Sequence, residues 1–166
     1  MKNEHSLLMA EQGYFRLPAI HAGDVFFVAE DDVWTVSDTG GVPRRLTSGL
    51  GEMGRMAVSP DGQWLAITAR EEKHAEVFLT AATGGPLRRL TYLGADSRVR
   101  GFSPDGDIVF TSNAAQPFRD MTWMFRIPIT GGQPQKYSFG RANDLSFGSG
   151  GRILIGRNTT DLARWK

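Results

Sequence analysis

Cysteine is absent from all 166 residues, which excludes a disulfide framework and a thiolate zinc site. Long apolar runs are absent too, and none approaches the roughly 18 residues of a membrane helix. Near the N-terminus the apolar run is only Leu7 to Ala10, flanked by Glu4 and Glu11. That is shorter than the roughly 7–15 residues of a secretory core. An excess of one charge is missing: 19 Lys and Arg against 18 Asp and Glu leave a net charge of +1. A dedicated nucleic-acid or membrane-surface protein gathers a basic excess into patches, so neither partner is expected. The three histidines, His5, His21 and His74, are scattered, with no helical metal spacing, and no G-x-S-x-G elbow occurs. Helical periodicity is confined to residues 5 to 11, too short to stand alone. These absences lead us to expect a cytoplasmic chain without cofactor, metal or catalytic machinery of its own.

What is present in abundance is turn chemistry, with 20 Gly and 8 Pro in short clusters. The turns repeat. Ser59-Pro60-Asp61-Gly62 recurs as Ser103-Pro104-Asp105-Gly106, a shift of 44. Arg44-Arg45-Leu46-Thr47 recurs as Arg88-Arg89-Leu90-Thr91, again 44. Gly40-Gly41 returns as Gly84-Gly85 and then as Gly131-Gly132, shifts of 44 and 47. A worn echo of Phe102-Ser103-Pro104-Asp105-Gly106 appears in Phe147-Gly148-Ser149-Gly150-Gly151. A period of about 40–45 residues is that of a four-stranded propeller blade.

Each repeat holds four short β-prone runs. In the best-defined one they start near Arg55, Trp64, Glu76 and Leu87, with a Ser-Pro-Asp-Gly turn after the first and a hairpin at Thr83-Gly84-Gly85. Trp64 to Thr68 reads as a strand buried on both faces, and Leu87 to Thr91 alternates like an outer strand with one wet side. The next repeat gives starts near Val99, Ile108, Thr122 and Pro134. The first repeat gives Leu17 to Ile20, Val25 to Val28, Val33 to Val36 and Pro43 to Thr47. A fourth opens with Asn143 to Phe147 and Ile153 to Ile155. The reading is all-β with less than about 10% helix: a partial β-propeller of four-stranded antiparallel blades. An extension over 1–12 precedes blades at about 13–51, 52–96 and 97–142 and the start of a fourth at 143–166.

The repeat absorbs several motifs. Asp38-Thr39-Gly40 matches an aspartic-protease tripeptide but occupies a hairpin-turn position, and that chemistry needs two carboxylates. Gly49-Leu50-Gly51-Glu52-Met53-Gly54 matches a dinucleotide loop but opens no helix, so it reads as an inter-blade loop. Asn158-Thr159-Thr160 is a formal glycosylation acceptor. Ser149 falls at a blade turn. The paired arginines suit either a phosphate site or an outer strand with one solvated guanidinium and one packed stem.

One binding reading follows from the architecture. The innermost strand of each blade lines the channel of a propeller. Arg55, Arg98 and Arg100 would then crowd the channel mouth, with Glu52, Asp96 and Asp144 nearby. Such a rim attracts peptide carboxylates through charge-assisted hydrogen bonds; the alternative is a set of ordinary solvated loop charges.

Beyond the generic turns, four stretches resemble the N-terminal six-bladed propeller of tricorn-type proteases. They are Gly13 to Ile20, Asp31 to Val36, Ala114 to Arg119 and Gly156 to Lys166. The resemblance spans about residues 13 to 166. It implies a segment of a large cytosolic assembly that cuts peptides released by the proteasome, with propellers forming channels. It also implies Ser/His catalytic groups in later domains, so none is carried over, and partners that are peptides or the remaining protease domains. Two other readings stay open: a stand-alone WD40-like or TolB-like interaction module, and the propeller of a prolyl-oligopeptidase-type hydrolase. Open blade faces such as those bearing Val25, Phe27, Ile153 and Ile155 lead us to expect either a longer protein or self-association through those faces.

Overall fold

The structure, a computed structural model, describes residues 14–49 and 51–157. The first blade is an antiparallel sheet of β1 (Arg16–His21), β2 (Asp24–Ala29), β3 (Asp32–Ser37) and β4 (Arg44–Arg45) in that order. The second holds β5 (Glu52–Val58), β6 (Trp64–Arg70), β7 (Glu76–Ala81) and β8 (Arg88–Arg89). The third holds β9 (Ser97–Phe102), β10 (Ile108–Ser112), β11 (Trp123–Ile127) and β12 (Gln135–Arg141). A two-stranded sheet of β13 (Asp144–Phe147) and β14 (Ile153–Gly156) follows. Among the described residues the one helical segment is the short 3-10 turn Ser149–Gly151, where the Gly-Ser-Gly-Gly stretch replaces Ser-Pro-Asp-Gly. No helix there is long and apolar enough to cross a membrane.

The turns form as their residues require. In the second blade Ser59 Oγ donates to Asp61 Oδ1 at 2.5 Å and accepts from the Trp64 amide at 2.9 Å. The Gly62 amide closes the turn on the Ser59 carbonyl at 2.9 Å, and Gly106 repeats that bond to Ser103. Asp38-Thr39-Gly40 is a hairpin turn, closed by the Gly40 amide on the Ser37 carbonyl.

Several elements differ from the sequence reading. β5 begins at Glu52, three residues before Arg55, so half of the glycine-rich stretch is strand rather than loop. A register shift between Met53 and Met56 accommodates the extra length. β4 and β8 shrink to their two arginines. Beyond them the Leu46 and Leu90 amides still donate to the Val33 and Val77 carbonyls, and the Thr47 and Thr91 hydroxyls accept the Val33 and Val77 amides at 2.9 and 2.8 Å. The expected helical segment at residues 5–11 and Asn158-Thr159-Thr160 lie outside the described residues.

The core sits between sheets. Phe26, Val28, Val33 and Leu46 of the first blade pack on Met53, Leu65, Ile67 and Phe78 of the second. Ala66, Val77, Leu79 and Leu90 then pack on Val99, Ile108, Phe110 and Ile127 of the third. Leu145, Phe147 and Ile155 pack on Val109 and Met124. Ile155 therefore faces the third blade, which corrects its assignment to an open face: alternation along β14 sends Leu154 outward instead, 76% exposed. Each of Leu65, Ile67, Val99, Ile108 and Phe110 is fully buried, and burying such a side chain stabilises by roughly 1.5–3 kcal/mol.

Candidate functional site

The inner strands β1, β5, β9 and β13 stand side by side. Where β5 and β9 begin, a cavity of about 660 Å³ opens among Glu52, Arg70, Asp96, Arg98, Arg100, Arg119 and their neighbours. Strand ends supply its charges: Arg70 closes β6, while Arg98 and Arg100 alternate with buried Val99 along β9, so both point away from the core.

Of the three arginines expected at the channel mouth, Arg98 and Arg100 line this cavity. Arg55 does not line it. Its guanidinium lies 3.7 Å from Asp144 Oδ2, and Arg100 approaches the same oxygen at 3.6 Å. Asp144 thus ties the second and third blades to β13. Arg100 is mostly withdrawn from solvent, and burial lowers its pKa despite the opposing pull of Asp144. Arg98 is exposed, and among the described residues no carboxylate lies within 4 Å of it.

Asp96, expected near these arginines, lines the same cavity. It accepts the Ala75 amide at 3.1 Å and pairs with Arg70 at 3.3 Å and Arg119 at 3.1 Å. Partial burial raises its pKa, but the Ala75 amide, Arg70 and Arg119 outweigh that, and the carboxyl sits below its ordinary range. Glu52 pairs with Arg70 at 3.3 Å. Sequence reasoning missed Arg70 and Arg119 as cavity residues; Arg119 lay within one of the family-like stretches, but no local pattern marked either. Four arginines face three acids, Glu52, Asp96 and Asp120, around the cavity. With Asp96 and Glu52 already engaged, Arg98 and Asp120 are the cavity charges in no ion pair among the described residues, and Arg98 is a donor suited to a carboxylate. Among the described residues no group of His, Asp and Glu is arranged to hold a metal ion.

The paired arginines have a structural role instead of the phosphate site considered above. The second of each pair braces its own blade: Arg45 reaches Asp32 Oδ2 at 3.2 Å and Arg89 reaches Glu76 Oε1 at 3.2 Å. The first of each pair crosses to the next blade. Arg44 Nη1 donates to the Thr83 carbonyl at 2.6 Å, and Arg88 donates to the carbonyls of Thr130 and Ile129.

Antiparallel four-stranded sheets packed face to face, with neighbouring inner strands and arginine bridges between successive outer edges, define a β-propeller segment. Residues 12–166 match the family model of the tricorn protease N-terminal β-propeller domain. The chain belongs to that family. It is 32% identical over 159 residues to the Tricorn protease of Thermoplasma acidophilum, covering 90% of this chain and 15% of that protein. It is also 32% identical over 160 residues to a Sulfurisphaera tokodaii protein provisionally named Tricorn-like protease N-terminal subunit, covering 93% of this chain and 80% of the relative. The crystal structure of the tricorn protease superposes with a TM-score of 0.80 at 30% identity, over 93% of this chain and 16% of that one. The fold is shared with a TolB-type structure from Agrobacterium tumefaciens, TM-score 0.71 at 22% identity over 86% of this chain and 53% of that one. The chain thus spans about one-sixth of the tricorn protease chain it matches.

Proposed function

We propose that the chain is a non-catalytic propeller segment of a tricorn-type peptidase and that its arginine-lined cavity guides peptides by their carboxylates. The observation that carries this reading is Arg98: it lines a cavity of about 660 Å³ and, among the described residues, has no carboxylate within 4 Å. Its neighbours Arg70, Arg100 and Arg119 add positive potential but are held by Glu52, Asp96 and Asp144. Such a site favours acidic side chains and free C-termini over amidated ones, weakly and with strong salt dependence. The catalytic groups and the remaining protease domains would be supplied elsewhere. The 80% coverage of a relative named as an N-terminal subunit supports a division of that kind.

The test is titration of fluorescent peptides into the full chain at low salt. An acidic peptide with a free C-terminus is expected to bind, and its amidated, neutral counterpart to bind more weakly. Arg98→Ala should lower affinity severalfold, and the Arg55/Arg98/Arg100→Ala triple variant should lower it no less. Unchanged binding in the triple variant removes the reading.

A further inference from the structure

The two Ser-Pro-Asp-Gly turns share one sequence but close differently. In the second blade the Ser59 amide donates to the Trp64 carbonyl, and Val58 pairs with Leu65 across residues 59–64. In the third the Ser103 amide donates to the Asp107 carbonyl, and Phe102 pairs with Ile108 across residues 103–107, so this turn is one residue shorter. The shortening redirects an amide. Two residues beyond the aspartate, the Gln63 amide donates to Asp61 Oδ1 at 3.0 Å, whereas the Asp107 amide donates to Ser103 Oγ at 3.1 Å. Ser59 Oγ also gives its proton to Asp61 Oδ1, at 2.5 Å. Among the described residues no hydrogen bond or ion pair reaches the exposed carboxylate of Asp105. The glycines differ too. The His21 ring lies 2.6 Å from where a Cβ on Gly62 would sit, and nothing lies within 4 Å of that position on Gly106.

An aspartate followed by glycine is open to ring closure on its own backbone, because glycine lets other atoms approach its nitrogen closely. The glycine nitrogen attacks Cγ of the protonated aspartate side chain. A C–N bond forms, and the N–H proton leaves with the carboxyl hydroxyl as water. The product is a five-membered cyclic imide. Water then adds back to one of its two carbonyls. Addition at the original main-chain carbonyl breaks the old peptide bond and leaves the chain running through Cβ and Cγ, an isoaspartyl residue. The water lost is the water regained, so no other reactant is needed.

We propose that Asp105-Gly106 is a site of spontaneous isoaspartyl formation in the folded chain, and that Asp61-Gly62 is protected from it. Both glycine amides are tied to a serine carbonyl at 2.9 Å, so both turns must open before the ring can close. Asp105 then has only to rotate its side chain. Asp61 must also leave Ser59 and Gln63. Those same bonds, Ser59 foremost, hold its carboxyl below the ordinary 3.8 and so keep it in the unreactive ionised form. His21 crowds the attacking nitrogen as well. Conversion at Asp105 adds one methylene to the main chain between β9 and β10 and leaves a free α-carboxylate as the side group. That carboxylate is the acceptor for a carboxyl methyltransferase that recognises isoaspartyl groups. The proposal is independent of the peptide cavity.

The test is to age the full chain, folded and near neutral pH, and digest it with trypsin. Asp61 then lies in the peptide 56–70 and Asp105 in the peptide 101–119. Enzymatic methylation counts isoaspartyl groups, and electron-transfer fragmentation places them, separating Asp105 from Asp107. Conversion at Asp105 is expected to be at least about tenfold faster than at Asp61, the effect of two hydrogen bonds to a charged carboxylate. In urea the two rates should converge, since the motifs are identical. Ser59→Ala should quicken conversion at Asp61 severalfold and leave Asp105 unchanged, while Asp105→Glu should clear the signal from 101–119. Equal rates in the folded chain, or conversion at Asp105 only after unfolding, would overturn the assignment. So would a difference that persists in urea, since the turn would then not be its cause.

Discussion

Removing the Glu76 carboxylate should be among the costliest single changes in this chain. Glu76 opens β7 with its side chain only 2% exposed. One oxygen accepts from Thr91 Oγ1 at 2.5 Å, and the other from Arg89 Nη2 and the Gly94 amide, each at 3.2 Å. The Thr91 hydroxyl in turn accepts the Val77 amide. Glu76→Ala leaves Arg89 without its acid and strips partners from a buried hydroxyl and an amide. Breaking a buried ion pair by deleting one side costs about 3–5 kcal/mol. For a chain of this size that corresponds to a fall in Tm of roughly 6–20 °C. Glu76→Gln keeps the volume and neutral acceptor but loses the charge, so about 1.5–3 kcal/mol is expected. The first blade supplies an internal control. Asp32 makes the same contacts to Thr47 and Arg45 but is 11% exposed, and its arginine is 50% exposed against 25% for Arg89. Asp32→Ala should therefore cost less than Glu76→Ala. Urea unfolding followed by both fluorescence and circular dichroism gives the comparison, coincident transitions being required before a single free energy is assigned. If Glu76→Ala lies within about 1 kcal/mol of the parent, the brace is not what holds the outer strand, and this reasoning fails.

Three further outcomes are expected. Gly62 and Gly106 occupy the same turn at φ +71° and +86°, but a Cβ on Gly62 would meet the His21 ring at 2.6 Å whereas none lies within 4 Å at Gly106. Gly106→Ala should cost about 1–2 kcal/mol for the left-handed backbone alone, and Gly62→Ala more, with His21→Ala recovering the difference in thermal melts; equal losses would discount the contact. Asp96 and Asp61 both have carboxyls held below the ordinary 3.8. Ser59 is the main cause for Asp61; for Asp96, burial raises the value, but the Ala75 amide and Arg70 prevail. A depressed folded pKa means stability present above the unfolded value and lost as pH falls through the folded one. Stability should thus decline below about pH 4, and less steeply in Asp96→Asn, which acid titration of the fold would check. Finally, Arg88→Gln removes the bridge to Thr130 and Ile129, and hydrogen exchange should quicken in the 128–131 turn while β6 stays protected; uniform protection would mean the bridge contributes nothing.

Local chemistry was enough to read the blades. Ser-Pro-Asp-Gly closes a turn through bonds spanning two to five residues, and apolar alternation marks strands one at a time, so both signals survive in a linear text. The 44-residue spacing of two such signals then implied sheets that must stack. That Arg98 and Arg100 share one side of a strand was legible because they flank Val99, and both line the cavity. Other features depended on which residues meet across blades. Arg44 and Thr83 are 39 residues apart, and nothing near either one names its partner. Asp96 was read only as lying near the arginines, and its partners Arg70, 26 residues before it, and Arg119, 23 after it, are marked by nothing local. Arg55 lies outside the cavity lining, beside Asp144 of a neighbouring sheet, a contact that nothing near Arg55 in the sequence announces. Ile155 was assigned to the wrong side because alternation tells which residues share a face but not which face meets a neighbour. Turn type and strand period are properties of adjacent residues, whereas charge pairing and burial depend on packing between sheets, and only the tertiary structure determined those.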